Sequence, residues 1–170
     1  LLVLQFQAGD KRALGMLVKR HHRKFNAHAY WYLRDIEASK DVVQDCWGII
    51  ANKLHTLRDP NSFSSWAMRI VTRKSIDELH KDKRKREILD EYAVTNRDVT
   101  VADDHENQVL QVKQAIERLP IDHQIVLRLF YTQEYSLFEI SGILDISIGT
   151  VKSRLYHARE KLKTILNHTS

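Results

Sequence analysis

The most constraining feature of this sequence lies near its C-terminus, where apolar residues recur at helical spacing on both sides of a short break within residues 136–166. Ser136 precedes Glu139 by three residues, which is the spacing of a capping box that opens a helix. The apolar pattern stops at Asp145 and resumes after Ser147, a favourable N-cap residue. The stretch therefore predicts two helices joined by a tight turn, as in a helix-turn-helix.

The second of these helices carries the side chains that would contact duplex DNA. In a helix-turn-helix over residues 137–156, the small and polar start of the second helix would approach base edges in the major groove. The cations that follow would meet phosphates. An amphipathic helical hairpin with a solvated basic face would show the same spacing and remains an alternative. The candidate DNA contacts are Gly149, Thr150, Lys152, Ser153, Arg154, His157 and Arg159.

Composition and charge predict an almost all-α protein of two small helical domains. Glycine (5) and proline (2) are scarce, and the apolar residues recur mostly at helical spacing. Residues 1–86 have a net charge of +9, residues 87–107 of −6 and residues 108–170 of +2, which together give the +5 of the chain. Residues 87–107 also lose the periodicity and indicate a flexible acidic linker. Two basic bodies, the second a four-helix domain, suit a partner with a phosphate backbone.

Nothing in the sequence indicates catalysis, a metal or a cofactor. Cys46 is the only cysteine, so neither a disulfide within the chain nor a cysteine-cluster metal site is expected. His21, His22 and His28 lack further ligands at a fixed spacing, and we interpret them as surface or rim residues. No nucleotide-binding or hydrolase motif is present. No apolar run reaches membrane-spanning length, so we expect a cytoplasmic protein without membrane insertion.

Two further helices are predicted in the N-terminal half, over residues 38–57 and 65–86, with a loop at residues 58–65 between them. In the first helix, Trp47 lies away from the main apolar stripe and could anchor a protein contact, although an ordinary core helix would also explain the pattern. The second helix is strongly basic and begins with aromatic residues, a combination that suits single-stranded nucleic acid. Core packing would also explain Phe63 and Trp66, and for Trp66 it is the preferred interpretation.

These separate patterns together resemble one family. The run LFEISGILDISIGTVKSRLYHAREKL is similar to the promoter-binding helix-turn-helix of sigma-70-family initiation factors. The runs DVVQDCWGIIANKL and FSSWAMRIVTRKSIDELHKDKR resemble the polymerase-binding and promoter-melting helices of the same family. The resemblance covers roughly residues 5–165, and with no other domain present the chain looks like the small extracytoplasmic-function (ECF) group.

The resemblance implies a bacterial factor that binds core RNA polymerase and directs promoter-specific transcription initiation, without nucleotide hydrolysis. A sigma2-like N-terminal bundle would dock on the clamp coiled coil of the largest polymerase subunit, and the flap of the second-largest subunit would be a further contact. An anti-sigma factor is an expected partner. The implied polymerase contacts are Asp41, Val42, Val43, Gln44, Asp45, Trp47, Ile50 and Leu54.

The resemblance also assigns the two DNA elements of a promoter. The first domain would recognise and open the −10 element, with a base pocket in the 59–65 loop and the separated strand held along the basic helix. The sigma4-like second domain would read the −35 element through the helix-turn-helix candidates, with Lys152 and Arg159 as phosphate clamps. The implied −10 contacts are Asn61, Ser62, Phe63, Trp66, Arg69, Arg73, Lys74 and Lys81.

Three positions depart from the family pattern, of which Ser141, where the family often has Ala, is a small-for-small change. Asp145 stands where the family often has Gly, and because Asp tolerates a left-handed conformation better than most residues we expect the turn to be kept. Arg73 stands where Asn is common, so a base contact is not carried over to that position. Two other classes remain open: a two-domain helix-turn-helix regulator that does not bind polymerase, and a helical interaction module that does not bind DNA.

Overall fold

The computed structural model describes the backbone of residues 1–89 and 104–169 and the side chains of residues 1–82 and 109–167. The regular structure in these ranges is helical throughout, and the chain divides into two compact units, Leu1–Ala93 and Val94–Ser170. The prediction of an all-α fold in two helical units is confirmed.

The first unit is a bundle in which α2, α3 and α4 all pack against one another and α1 packs on α2. The Gln7 side chain fastens α1 to the far end of α3 by donating to the carbonyls of Leu54 (3.1 Å) and Leu57 (2.9 Å). Phe25, Ile50 and Leu54 are fully buried in the core. The helices of this unit are α1 (Leu2–Gln7), α2 (Arg12–Leu33), α3 (Ile36–Lys53) and α4 (Phe63–Leu89).

Local capping explains why these helices differ slightly from their predicted bounds. The Asp35 side chain accepts the Ala38 N–H at 2.8 Å, so α3 begins at Ile36 rather than at residue 38. Between α3 and α4 the chain forms short 3-10 turns instead of an open loop. In the second of these, the Asp59 side chain accepts the Asn61 N–H at 3.0 Å, and the helix then continues directly from Phe63.

The prediction that His28 lies at the surface is wrong. Its side chain is fully buried, with Nε2 at 2.9 Å from Thr72 Oγ1 and the ring edge-on to Tyr32. The position faces α4, and Thr72 supplies the polar partner that a buried imidazole needs. His21 is half-buried between Phe25 and Phe63, and this burial lowers its pKa from the ordinary value.

The second unit is organised around its last helix, α8, which packs against α5, α6 and α7. A π-helical turn, Arg128–Thr132, extends α6 and leads into the connection to α7. Leu129, Ile140, Ile143 and Val151 are among the fully buried side chains of the core. The four helices are α5 (Asp104–Glu117), α6 (Ile121–Leu127), α7 (Leu137–Leu144) and α8 (Ile148–Thr169).

The predicted linker over residues 87–107 is described only at its two ends. There α4 continues to Leu89 and α5 begins at Asp104, so both helices extend into the predicted linker. The remainder of that prediction lies outside the described residues.

Candidate nucleic-acid interface

The first helix of the predicted helix-turn-helix, α7, begins and ends as its sequence indicates. Ser136 Oγ accepts the Glu139 N–H at 3.2 Å, and Glu139 Oε2 accepts the Ser136 N–H at 2.8 Å, which completes a capping box. The helix ends at Asp145 in a left-handed conformation (φ 59°, ψ 45°). Ser141 Oγ donates to the Ile146 carbonyl at 2.7 Å and closes the turn. The expectation that Asp145 would keep the turn is confirmed.

The second helix, α8, begins with a side-chain cap. Ser147 Oγ accepts the Thr150 N–H at 3.0 Å and lies 2.8 Å from Thr150 Oγ1. Gly149 is exposed, and a Cβ there would meet only Ser147 Oγ within 4 Å, at 3.7 Å. Packing of the protein itself therefore does not require a glycine, and the position allows another molecule to approach the backbone closely.

The predicted duplex contacts divide into an open face and two flanks of α8. Gly149, Lys152, Ser153 and His157 are exposed, opposite the buried Val151 and Leu155. Sequence reasoning missed Tyr156, which is 60% exposed and has its ring edge-on to His157. Its spacing, four residues after Lys152 and three after Ser153, was the signal that could have found it.

The two arginines on the flanks of α8 already have partners within the unit. Arg154 forms a salt bridge with Asp122 of α6 (Nη2 to Oδ2, 2.9 Å). Arg159 donates from Nε to the Tyr131 hydroxyl at 2.8 Å and lies over the Phe130 and Tyr131 rings. Spacing alone could not reveal these pairs, because each partner lies on a different element about 30 residues away in sequence.

The environment of His123 shows how positive this side of the unit is. Burial lowers its pKa first, and the positive charges of Lys161, His157 and Arg154 lower it further, while Asp122 opposes them. The first turn of α6 and the recognition helix α8 therefore share one electrostatic environment, and Asp122 is the acidic group in it that shifts the His123 pKa upward.

The predicted polymerase contacts in and near α3 fall into two groups, one exposed and one buried. Asp41, Gln44 and Asp45 are exposed on one face, and Asp45 lies 3.8 Å from Lys74 of α4. The other five are buried in the core and offer little side-chain surface to a partner, because α3 is covered by both α2 and α4. These are Val42, Val43, Trp47, Ile50 and Leu54.

Trp47 shows this burial most clearly. Its ring packs on Phe25 with centroids 5.2 Å apart, and its Nε1–H donates to His22 Nδ1 at 3.3 Å. The side chain is 9% exposed, and its contacts anchor α3 to α2 inside the unit. Because α2 and α4 both pack on α3, the buried face of α3 is wider than a single apolar stripe. Trp47 lies outside that stripe but still within the buried face.

The predicted −10 contacts also differ in how far they are buried. Phe63 is buried, edge-on to His21, and so is a core residue. Asn61, Arg73 and Lys81 are exposed, and Lys74 is partly exposed. Ser62, in the turn before α4, is half-buried, as are Trp66 and Arg69 of α4. The residues left at the surface form a basic edge that begins at the Pro60–Ser62 turn and follows α4.

The described residues hold neither a metal-binding cluster nor a membrane-spanning helix. In the described side chains, no group of three or more His, Cys, Asp or Glu residues could hold a metal ion. None of the described helices is long and apolar enough to cross a membrane. Cys46 is buried, and burial raises its pKa to about 12, so it remains a neutral thiol.

Together, an open helix-turn-helix in one unit and a basic helical edge in the other define a DNA-binding helical protein. Comparison with known families refines this class. Residues 17–85 match the model of sigma-70 region 2, and residues 110–162 match the model of sigma-70 region 4.

The sequences of known relatives align with this chain over nearly its whole length. It is 30% identical over 163 residues to the ECF RNA polymerase sigma factor SigM of Mycobacterium tuberculosis, covering 95% of this chain and 81% of the relative. It is 29% identical to SigW of Bacillus subtilis, covering 95% and 92%. In fold it is similar to CnrH in complex with the cytosolic domain of CnrY (TM-score 0.70, 24% identity, 99% and 97% covered). It is also similar to RpoE of Bartonella quintana in complex with the anti-sigma factor NepR (TM-score 0.70, 20% identity, 90% and 96% covered).

The chain belongs to the sigma-70 family of RNA polymerase sigma factors, in its ECF group. The alternative of a regulator that shares only the helix-turn-helix is not favoured, because region 2 matches as well.

Proposed function

We propose that this chain binds core RNA polymerase through α3 and directs initiation at promoters with two recognition elements. Polymerase binding and the −10 element are assigned to residues 1–86, the −35 element to residues 108–170, and the connection to residues 87–107. The observation that carries the proposal is the open face of α8, presented by a capped helix-turn-helix in a chain that also matches sigma-70 region 2 over residues 17–85. Polymerase and promoter are cytoplasmic in bacteria, and the chain would act there.

The exposed edge of α3 supports the polymerase contact. Asp41, Gln44 and Asp45 present two carboxylates and an amide on one face, and Gly48 lies on the same face one turn further along. A Cβ at Gly48 would meet no atom within 4 Å, so the fold of this unit does not require glycine there. A glycine on an exposed helix face costs stability but allows a partner to pack closely.

The polymerase contact is tested by charge reversal. We expect Asp41→Arg and Asp45→Arg to weaken retention on immobilised core polymerase at least tenfold, because reversed charges facing a complementary surface repel it. Asp77→Arg, an exposed carboxylate of α4, is the matched control and should retain binding. Unchanged retention of both α3 variants would refute this assignment.

Duplex recognition would use the exposed face of α8. Lys152 would meet phosphate, while Ser153, Tyr156 and His157 would face base edges. The affinity of the chain for duplex should fall steeply with salt, and Lys152→Ala should flatten that slope by about one unit on every sequence. Lys163→Ala is the control, since it lies about 17 Å further along the helix axis. Equal slopes for the two variants would contradict the assignment of Lys152.

Strand separation would use the basic edge of the first unit. Asn61, Ser62 and the exposed side of Trp66 would hold an unstacked base, and Arg69, Arg73, Lys74 and Lys81 would follow the backbone of the separated strand. With core polymerase and an open promoter, Trp66→Ala should reduce permanganate reactivity of −10 thymines while leaving duplex affinity unchanged. Equal reactivity in the variant and the parent protein would exclude a role for Trp66 in melting.

An inhibitory partner is part of the proposal. CnrH and RpoE, the two solved proteins described above as similar in fold, are each bound to another protein, which in the RpoE complex is named as an anti-sigma factor. We expect a comparable partner to compete with core polymerase for this chain. A competition experiment with core polymerase and a co-purifying protein would test this: co-binding without competition would argue against it.

A further inference from the structure

The salt bridge between Asp122 and Arg154 joins two elements of the helix-turn-helix unit. Arg154 lies on α8, one turn after Thr150, and Asp122 lies in the first turn of α6. The two groups are 2.9 Å apart, and their side chains are 27% and 55% exposed respectively. Negative charge is favoured in the first turn of a helix, so Asp122 is well suited to hold a cation there.

This pair limits how Arg154 can approach DNA. An arginine that reads a base edge must present its guanidinium in one orientation, and a free arginine loses considerable rotamer entropy on doing so. The bond to Asp122 occupies Nη2 and leaves the other guanidinium donors for another partner. Arg154 is therefore already oriented, on the α6 side of the recognition helix.

The Asp122 carboxylate also affects DNA binding that does not depend on the base sequence. Asp122 is paired with Arg154 of α8, and Lys161 of α8 and Arg154 both act on the neighbouring His123 of α6 as positive charges. A carboxylate at this position reduces the attraction of the unit for phosphates, and phosphates supply nearly all non-specific affinity. Asp122 should thus favour specific contacts while it disfavours non-specific ones.

We propose that Asp122 is a positioning residue for promoter discrimination: it orients Arg154 for a base edge at the −35 element and weakens binding to unrelated duplex. This inference rests on the proposed −35 role of α8. It gives Asp122 two effects of opposite sign on two kinds of DNA, which neither a purely structural role nor simple repulsion of DNA would produce.

The experiment uses the full chain and DNA that it selects itself. A pool of random 30-base-pair duplexes is enriched on the wild-type chain, and affinities are then measured for an enriched duplex and a scrambled duplex of equal composition. For Asp122→Asn, we expect about tenfold weaker binding to the enriched duplex and about twofold tighter binding to the scrambled one. Arg154→Ala should lose a similar factor on the enriched duplex, and the double variant should lose little more.

Control variants keep this test decisive. Glu160→Gln removes an exposed carboxylate that lies on α8 itself, about 9 Å along the helix axis from Arg154. It should tighten binding to both duplexes and preserve their ratio. Asp122→Glu, which can still reach the guanidinium, should restore most of the discrimination. All variants should unfold within a few degrees of the parent protein, because a partly exposed ion pair and one first-turn charge contribute little to stability.

Three results would overturn the proposal. Equal weakening on both duplexes with a lowered unfolding temperature would make the salt bridge structural only. Equal tightening on both would make Asp122 only a repulsive charge. If the wild-type chain enriches no sequence, the proposed −35 role itself fails, and that failure is seen before any variant is made.

Discussion

Ile140 provides a quantitative test of the helix-turn-helix geometry. It is fully buried on the face of α7 that packs against α8, whereas Phe138, two residues earlier, is 76% exposed. Ile140→Ala removes three buried carbon atoms, worth about 0.8 kcal/mol each, and leaves a cavity whose surroundings relax only partly. The expected loss in the free energy of unfolding is about 3 kcal/mol, against about 1 kcal/mol for Ile140→Val.

The assay is urea unfolding of the full chain followed by two probes. The three tryptophans of the sequence, Trp31, Trp47 and Trp66, all lie in the first unit, so their fluorescence follows that unit alone. Far-UV circular dichroism follows helix in both units. With an m value of about 1 kcal/mol/M for a unit of this size, the second unit should unfold at about 3 M less urea in Ile140→Ala, while the fluorescence transition stays in place.

Phe138→Ala is the matched control on the same helix. Its exposed side chain predicts a change within about 0.5 kcal/mol. The reasoning would be refuted if Phe138→Ala destabilised the second unit as much as Ile140→Ala, because α7 would then bury a different face. An unchanged circular dichroism transition in Ile140→Ala would refute it equally.

Three further predictions concern single residues. Cys46 should resist alkylation by iodoacetamide in the folded protein and react only on unfolding, because burial raises its pKa to about 12; rapid reaction under native conditions would contradict this. His123 has a pKa below its ordinary value of 6.5, so the unfolded chain takes up a proton first as the pH falls. The stability of the second unit should therefore decrease as the pH falls through 6.5 towards the lowered value, and His123→Gln should reduce that decrease in thermal melts from pH 7.5 to 5. Gly48→Ala should stabilise the first unit by about 0.5–1 kcal/mol and weaken retention on core polymerase; stronger retention would show that no partner packs there.

Features that depend on neighbours in sequence could be predicted in detail. The capping box at Ser136 and Glu139, the left-handed Asp145 and the Ser147 cap each involve residues within three or four positions of one another. Such contacts form wherever the local backbone allows them, so residue type and spacing were sufficient. The same holds for the open face of α8, since periodicity alone opposes it to Val151 and Leu155.

Features that depend on neighbours in space could not be predicted. Helical periodicity identifies a buried face but not its width, so it could not show that His28, Trp47 and Phe63 all lie in the core. The partners of Arg154 and Arg159 come from other elements, and only the packing of α6 and the π-helical turn beside α8 brings them within reach.

The sequence by itself therefore determined the helices, their caps, the turn before the recognition helix and the family to which the chain belongs, because these depend on short-range spacing. The tertiary structure decided which of the predicted contacts remain at the surface and which already have partners. These outcomes depend on the way α2 and α4 cover α3 and on the way α6 packs against α8, and both are set by packing between residues far apart in the chain.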